Sequence, residues 1–194
     1  PGLILMNVIT GSYSNPSGSI FFSRIIVKSI NDLLVSPLSY LEMVLAFILG
    51  GMMRGLTLGI LAYIITIFFT PISIANFWVT LYFALAASFL FSCFGIIIGL
   101  WAKNWESLNI FLNFFLTPLT FLGGVFYSID MLPPALQSFT NYNPIYYLID
   151  GFRYGLIGYS DGNVMLGGIG LFIFGILFFT ICVQLFKKGW HLRS

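Results

Sequence analysis

GLTLGILAYIITIFFTPISIANFWVTLYFALAASFLFSCFGIIIGLWA, residues 55–102, runs for 48 residues without an Asp, Glu, Lys or Arg. Thr70, Pro71 and Asn76 punctuate it and divide it into two apolar arms. Each arm is near the ~20 residues that a helix rising about 1.5 Å per residue needs to cross a bilayer. Two more charge-free runs follow, Ser107 to Ile129 and Gly162 to Phe186. A water-soluble domain could not cover its surface with so few charges, so lipid is the solvent this chain is built for.

Composition agrees. Charged residues make up 7% of the chain, against roughly 25% in soluble domains. A net charge of +2, with no basic stripe interleaved with aromatics, argues against nucleic acid as a partner. Cys93 and Cys182 both fall inside expected spans, where free thiols acting as small apolar residues are expected rather than a disulfide or a metal pair. The chain starts at Pro1 with neither an initiator Met nor a signal-cleavage pattern, and reads as the remainder of a longer protein.

Hydropathy predicts an all-α membrane protein with five transmembrane helices in this chain. The first stretch covers about Gly2 to Ile26 and is interrupted by a polar patch from Thr10 to Ser19. That patch, with Asn15 in it, suits a helix facing protein or a wet path better than one facing lipid. Leu38 to Ile72 is too long for one crossing. Gly50-Gly51 is expected to divide it into an interfacial lead-in and a span from about Met53 to Phe69. The third span is about Phe77 to Trp101, the fourth about Leu108 to Tyr127 with Pro118 inside it, and the fifth about Val164 to Phe186. A cytoplasmic amino terminus in a longer protein would add a sixth span.

Basic residues set the orientation. Arg24 and Lys28, then Lys103, then Lys187, Lys188 and Arg193 fall in alternate connections. The intervening ones carry only Arg153. This puts the carboxyl terminus and the 24–37 loop in the cytoplasm. Trp78, Trp101, Trp105 and Trp190 lie near expected span ends, as interfacial residues do. The 128–163 segment is long yet apolar, broken by Pro133-Pro134 and Asn143-Pro144. Short amphipathic helices are expected there at the outer interface, or dipping inward as a re-entrant element.

Enzyme chemistry finds little support. His191 is the only histidine and lies past the last span, no HExxH occurs, and the absence of a Gly-Lys dipeptide excludes a phosphate-binding P-loop. Arg54 stands against an apolar background. On insertion scales an arginine at mid-span costs about 2.5–3.5 kcal/mol. It is either a substrate or gating contact or, with the span drawn from Met53, a side chain snorkelling from the cytoplasmic end, and the second is favoured. Gly51, Gly55 and Gly59 recur every four residues and allow close helix approach, within the chain or between copies. Asp150 and Arg153 are spaced to pair across one helical turn. The pathway or gating candidates are therefore Asn15, Arg54, Pro118, Asp150, Arg153 and Tyr154. In the 24–37 loop, Ile26, Ile30, Leu33 and Leu34 share one apolar face and Lys28, Asn31 and Asp32 the other. Such a helix lies on the membrane or inserts into a groove on a cytoplasmic partner.

The chain resembles the membrane subunit of ABC exporters, the type-2 permease family, and in particular a bacterial inner-membrane group encoded beside a separate ATPase. The likeness rests on Pro1-Gly2-Leu3-Ile4, Leu33-Leu34-Val35-Ser36-Pro37, Arg54-Gly55 and Leu116-Thr117-Pro118-Leu119-Thr120. It continues through Gly123-Gly124-Val125-Phe126-Tyr127-Ser128, Leu132-Pro133-Pro134, Asn143-Pro144, Phe152-Arg153-Tyr154-Gly155 and Leu192-Arg193-Ser194. The resemblance implies one permease domain over residues 1–194, six spans in the whole protein, and a missing amino-terminal amphipathic helix and first span. It implies that Ile26, Lys28, Ile30, Asn31, Asp32, Leu33, Leu34 and Val35 form a coupling helix docked on the ATPase, and that short outer helices occupy Leu132 to Gly158. It also implies two copies of this chain working with two ATPase subunits, which hold ATP and Mg; this chain needs no cofactor of its own. An exporter of drugs, lipids or lipid-linked saccharides in the bacterial inner membrane is the expectation. The rivals are a nucleotide-independent channel or secondary transporter, and a membrane scaffold.

Overall fold

The computed structural model describes residues 1–27, 38–70, 74–126, 140 and 143–189. Among these residues every regular element is helical. Helix α1 covers Gly2–Phe21 and runs on into a π-helical turn, Phe22–Ile26. Helix α2 is Tyr40–Phe69 and α3 is Phe77–Trp101. Next come α4 (Trp105–Ile110), a second π-helical turn (Phe111–Leu116) and α5 (Thr117–Leu122). Helix α6 is Pro144–Ile157 and α7 is Val164–Lys188.

The boundaries follow from capping chemistry. Ser39 and Glu42 form a reciprocal capping box at the start of α2. Asn76, Asn104, Asn143 and Asn163 each accept a backbone N–H at the start of α3, α4, α6 and α7. Helices α6 and α7 both end on a left-handed glycine, Gly158 (φ 75°) and Gly189 (φ 64°), a conformation that a β-carbon would strain.

Among the described residues three helices, α2, α3 and α7, are long and apolar enough to cross a membrane. Their surfaces invert the pattern of a soluble protein. Phe68, Phe69, Trp78, Met165 and Phe172 face outward, while glycine, serine and alanine lie within. The sequence expectation of a break at Gly50-Gly51 is not met. Helix α2 passes through both glycines, and Gly51 is buried where a side chain would obstruct a neighbour. The fourth apolar segment begins earlier than expected, at Trp105, and is divided by its π turn.

Helix α1 is the centre of the bundle, with α2 and α3 packed along it. Its amino-terminal half joins Phe83, Ala87, Leu90 and Phe91 of α3 and the apolar face of α6 in one cluster. That face is Ile145, Leu148, Ile149, Phe152 and Leu156, at the spacing of one helical stripe. Helix α6 falls within the 128–163 segment where short amphipathic helices are expected, and its apolar side is turned onto the bundle. The remainder of the expected outer helices lies outside the described residues. At the other end Ile20, Val44, Ile48, Ile96, Leu100 and Phe186 form a second cluster. Cys93 and Cys182 are both buried there and unbridged, with the Cys182 thiol donating to the Cys93 carbonyl at 3.4 Å.

Candidate functional site

The polar patch of α1 is the natural place to look for a path, because polar groups at this depth must be satisfied by protein or water. Pro16 sits inside the helix and has no N–H to give, which frees the carbonyl of Ser12 one turn earlier. Ser92 of α3 takes it, donating its hydroxyl at 3.4 Å. Ser17 turns its hydroxyl back onto Tyr13 O at 2.8 Å. The Tyr13 phenol, buried, donates across to Leu108 O of α4 at 3.1 Å. Tyr13→Phe is expected to cost about 1 kcal/mol, a modest value for a buried interhelical hydrogen bond in a membrane protein, read as a lowered melting temperature in detergent.

Two glycine rows let α2 and α3 reach the backbone of α1. A β-carbon on Gly51 would lie 2.9 Å from the Ser12 carbonyl oxygen, and one on Gly55 would lie 2.6 Å from that of Val8. A β-carbon on Gly59 would run into the Val8 side chain. From the other side, one on Gly99 would lie 2.9 Å from the Ser17 carbonyl oxygen. Gly51, Gly55 and Gly59 therefore face α1 of the same chain.

The side of α1 not covered by α2 and α3 carries Asn7, Thr10 and Ser14, which are partly or wholly exposed, and half-buried Asn15 lies where that side meets α2, its Oδ1 against Gly50. Arg54 is exposed on α2 and makes no ion pair among the described residues. It is the fifteenth residue of the 30 in α2, which begins at Tyr40 rather than at Met53. Pro118 enters at the start of α5, just after the π turn, and Thr117 donates its hydroxyl to Leu112 O at 3.0 Å. The turn absorbs a proline that a regular helix would not tolerate.

At the end of the bundle where α6 meets α7, Arg153 donates to Asp150 at 2.8 Å, the pairing expected from their spacing, and also to Asp161 at 2.5 Å. Asp150 further accepts the backbone N–H groups of Asp161 at 2.8 Å and Gly162 at 3.2 Å. Burial opposes the charge of Arg153, but the hydrogen bonds to both carboxylates outweigh it and hold its pKa above the ordinary value. Burial first, then the negative charges of Asp150 and Asp161, raise the pKa of the neighbouring Tyr146 phenol. The Arg153 guanidinium also lies 5.7 Å from the ring centre of Tyr159. Tyr154 is on the same helix, exposed. This cluster fastens α6 to the loop before α7. Asp161 was not foreseen as a partner; the Gly158 stop and the Ser160-Asp161-Gly162 turn were the available signals.

At the opposite end, Arg24 is buried and its guanidinium donates to the carbonyls of Leu100 and Ala102, the orphan acceptors at the end of α3. This role is invisible in sequence, because the partners are backbone atoms far along the chain. Of the expected coupling residues, Ile26 ends the first π turn with its side chain exposed. Lys28, Ile30, Asn31, Asp32, Leu33, Leu34 and Val35 lie outside the described residues.

Comparison with known proteins adds the following. The family described as "ABC-2 type transporter" matches residues 1–157. The chain is 40% identical over 195 residues to inner membrane transport permease YadH of Escherichia coli K12, covering 100% of this chain and 75% of that protein. It is 26% identical over 115 residues to nodulation protein J of Sinorhizobium fredii, covering 57% of this chain and 44% of that protein.

Proposed function

The chain belongs to the ABC-2 type transporter family, and from that membership we propose that it forms the translocation path of an ATP-driven exporter. It is a membrane permease of an ABC transporter, a transport component rather than an enzyme, and the family implies a partner ATPase. The finer assignments go further. Two copies pair around a path and two ATPase subunits supply ATP and Mg. The chain crosses the bacterial inner membrane five times with its carboxyl terminus in the cytoplasm. The substrate is amphipathic: a drug, a lipid or a lipid-linked saccharide.

The observation that carries the proposal is similarity over the whole of this chain, and 75% of the relative, to a named transport permease at 40% identity. Two features of the chain support it. Helix α1 has an uncovered polar side, which a path through lipid requires. The chain between α1 and α2 carries the amphipathic pattern of a helix that inserts into a partner's groove. In this scheme ATP binding closes the two ATPases, and residues 26–35 pass that movement to α1 and α2. The apolar residues Leu33 and Leu34 are assigned to the ATPase groove.

The test is the double variant Leu33→Asp, Leu34→Asp in the full-length permease, purified with its ATPase. Two carboxylates in an apolar groove are expected to abolish co-purification or to reduce transport-coupled ATP hydrolysis at least about tenfold. Unchanged assembly and unchanged stimulation of hydrolysis would remove these residues from the coupling role.

A further inference from the structure

Resting on the permease function proposed above, we propose that Arg54 and Asn15 form an anion-recognition site half way through the bundle, which takes the negatively charged head of an amphipathic molecule.

Depth is the first observation. Arg54 lies about 21 Å along the helix axis from Tyr40 and about 22 Å from Phe69 at the usual rise per residue. One turn before it, Gly51 faces Ser92 of α3. Antiparallel α3 therefore passes the level of Arg54 near Phe89, the midpoint of Phe77–Trp101. Snorkelling to either interface would have to span half the thickness of the bundle.

Direction is the second. Residues one turn before and one turn after Arg54 share its side of α2. A β-carbon on Gly50 would lie 3.5 Å from Asn15 Oδ1, and one on Gly11 would lie 2.7 Å from Leu58 Cδ1. Arg54 thus stands beside the stretch of α1 between Gly11 and Asn15, at the edge where the polar side of α1 meets α2.

The third is the balance of donors and acceptors. Thr10 and Ser14 spend their hydroxyl protons on their own helix, on Met6 O at 2.9 Å and Thr10 O at 2.7 Å. The Asn15 amide and the Arg54 guanidinium have no such partner among the described residues. The described carboxylates are all elsewhere. Glu42 is engaged with Ser39 at the start of α2, Glu106 opens α4, and Asp150 and Asp161 hold Arg153. A donor-rich site with one uncompensated cation, in low dielectric, selects a negative group and repels a positive one. The planar fork of arginine fits phosphate, sulfate and carboxylate alike. Exposed Met53, Leu58 and Leu61 border it on α2 and give an alkyl body somewhere to lie.

The experiment is calorimetric titration of the full-length permease in phosphatidylcholine nanodiscs, without the ATPase, using dodecyl phosphate, dodecyltrimethylammonium and inorganic phosphate. Dodecyl phosphate is expected to bind at least about tenfold more tightly than the cationic amphiphile, Arg54→Gln to erase that preference, Arg54→Lys to retain most of it and Asn15→Ala to weaken it several-fold. Weak binding of inorganic phosphate assigns the site to a headgroup carried on an apolar body; binding as tight as dodecyl phosphate assigns it to the free anion, and both support anion recognition. Equal affinity for the two amphiphiles, or an Arg54→Gln protein of unchanged melting temperature that still prefers dodecyl phosphate, overturns the proposal. So does an Arg54→Gln protein that loses self-association while keeping wild-type selectivity. Because no ATP is used, this result is separable from that of the Leu33 and Leu34 variant.

Discussion

Gly55→Leu is expected to leave no folded permease to purify. A β-carbon at this position would run into the Ser12 hydroxyl and would lie 2.6 Å from the Val8 carbonyl oxygen and 3.0 Å from the Ser12 β-carbon; the hydroxyl can rotate away, but the carbonyl oxygen and the β-carbon are fixed to the helix. Overpacking a tight core by a methylene or two typically costs about 1–3 kcal/mol. Four carbons placed between α1 and α2 exceed that, because α2 must withdraw and take its contacts with it. The check is the yield of monodisperse protein by size exclusion, with Gly170→Leu as the control. A β-carbon on Gly170 meets nothing within 4 Å, so this variant is expected to behave as wild type. A Gly55→Leu protein that elutes and melts like the parent would show that the α1–α2 seam is not as described.

The second large effect is expected from Asp150→Ala. Asp150 is 2% exposed and holds three donors at once: the Arg153 guanidinium and the N–H groups of Asp161 and Gly162. Removing one member of a buried ion pair costs about 3–5 kcal/mol, because the partner is left charged and poorly solvated. Two orphaned amides add to the loss. Asp150→Asn keeps an acceptor and is expected to lose less, and Asp161→Ala less again, since Asp150 still holds Arg153. Thermal melting of the three variants in one detergent tests the order. Because both carboxylates are almost wholly buried, raising the salt concentration is expected to change the wild-type melting temperature little. An alanine variant melting with the parent would reduce the cluster to a surface pair.

Much of this architecture could be read from charge spacing alone. The charge-free runs placed α3 and α7 within a residue or two, because the chain has to turn where Asn76, Asn104 and Asn163 supply caps and where Lys103 and Lys187 meet water. What misled was glycine. Gly50-Gly51 reads as a breaker in water, yet in a lipid-solvated bundle it marks the side of a helix that another backbone must touch. That difference moved Arg54 from the end of an expected short span to the middle of a long helix. The Asp150–Arg153 pair was legible because it is local. Arg24 on Leu100 and Ala102, and Tyr13 on Leu108, were not, because no sequence pattern encodes a side chain meeting a distant carbonyl.

Flanked by glycines on two sides, α1 behaves as a keyed shaft. It has no side-chain padding to roll on, so torque about its axis is blocked at Gly55 and Gly99 alike. A push along its length meets the same contacts, since Gly55 is set between Val8 and Ser12, so any movement of α1 is carried to the two helices that grip it.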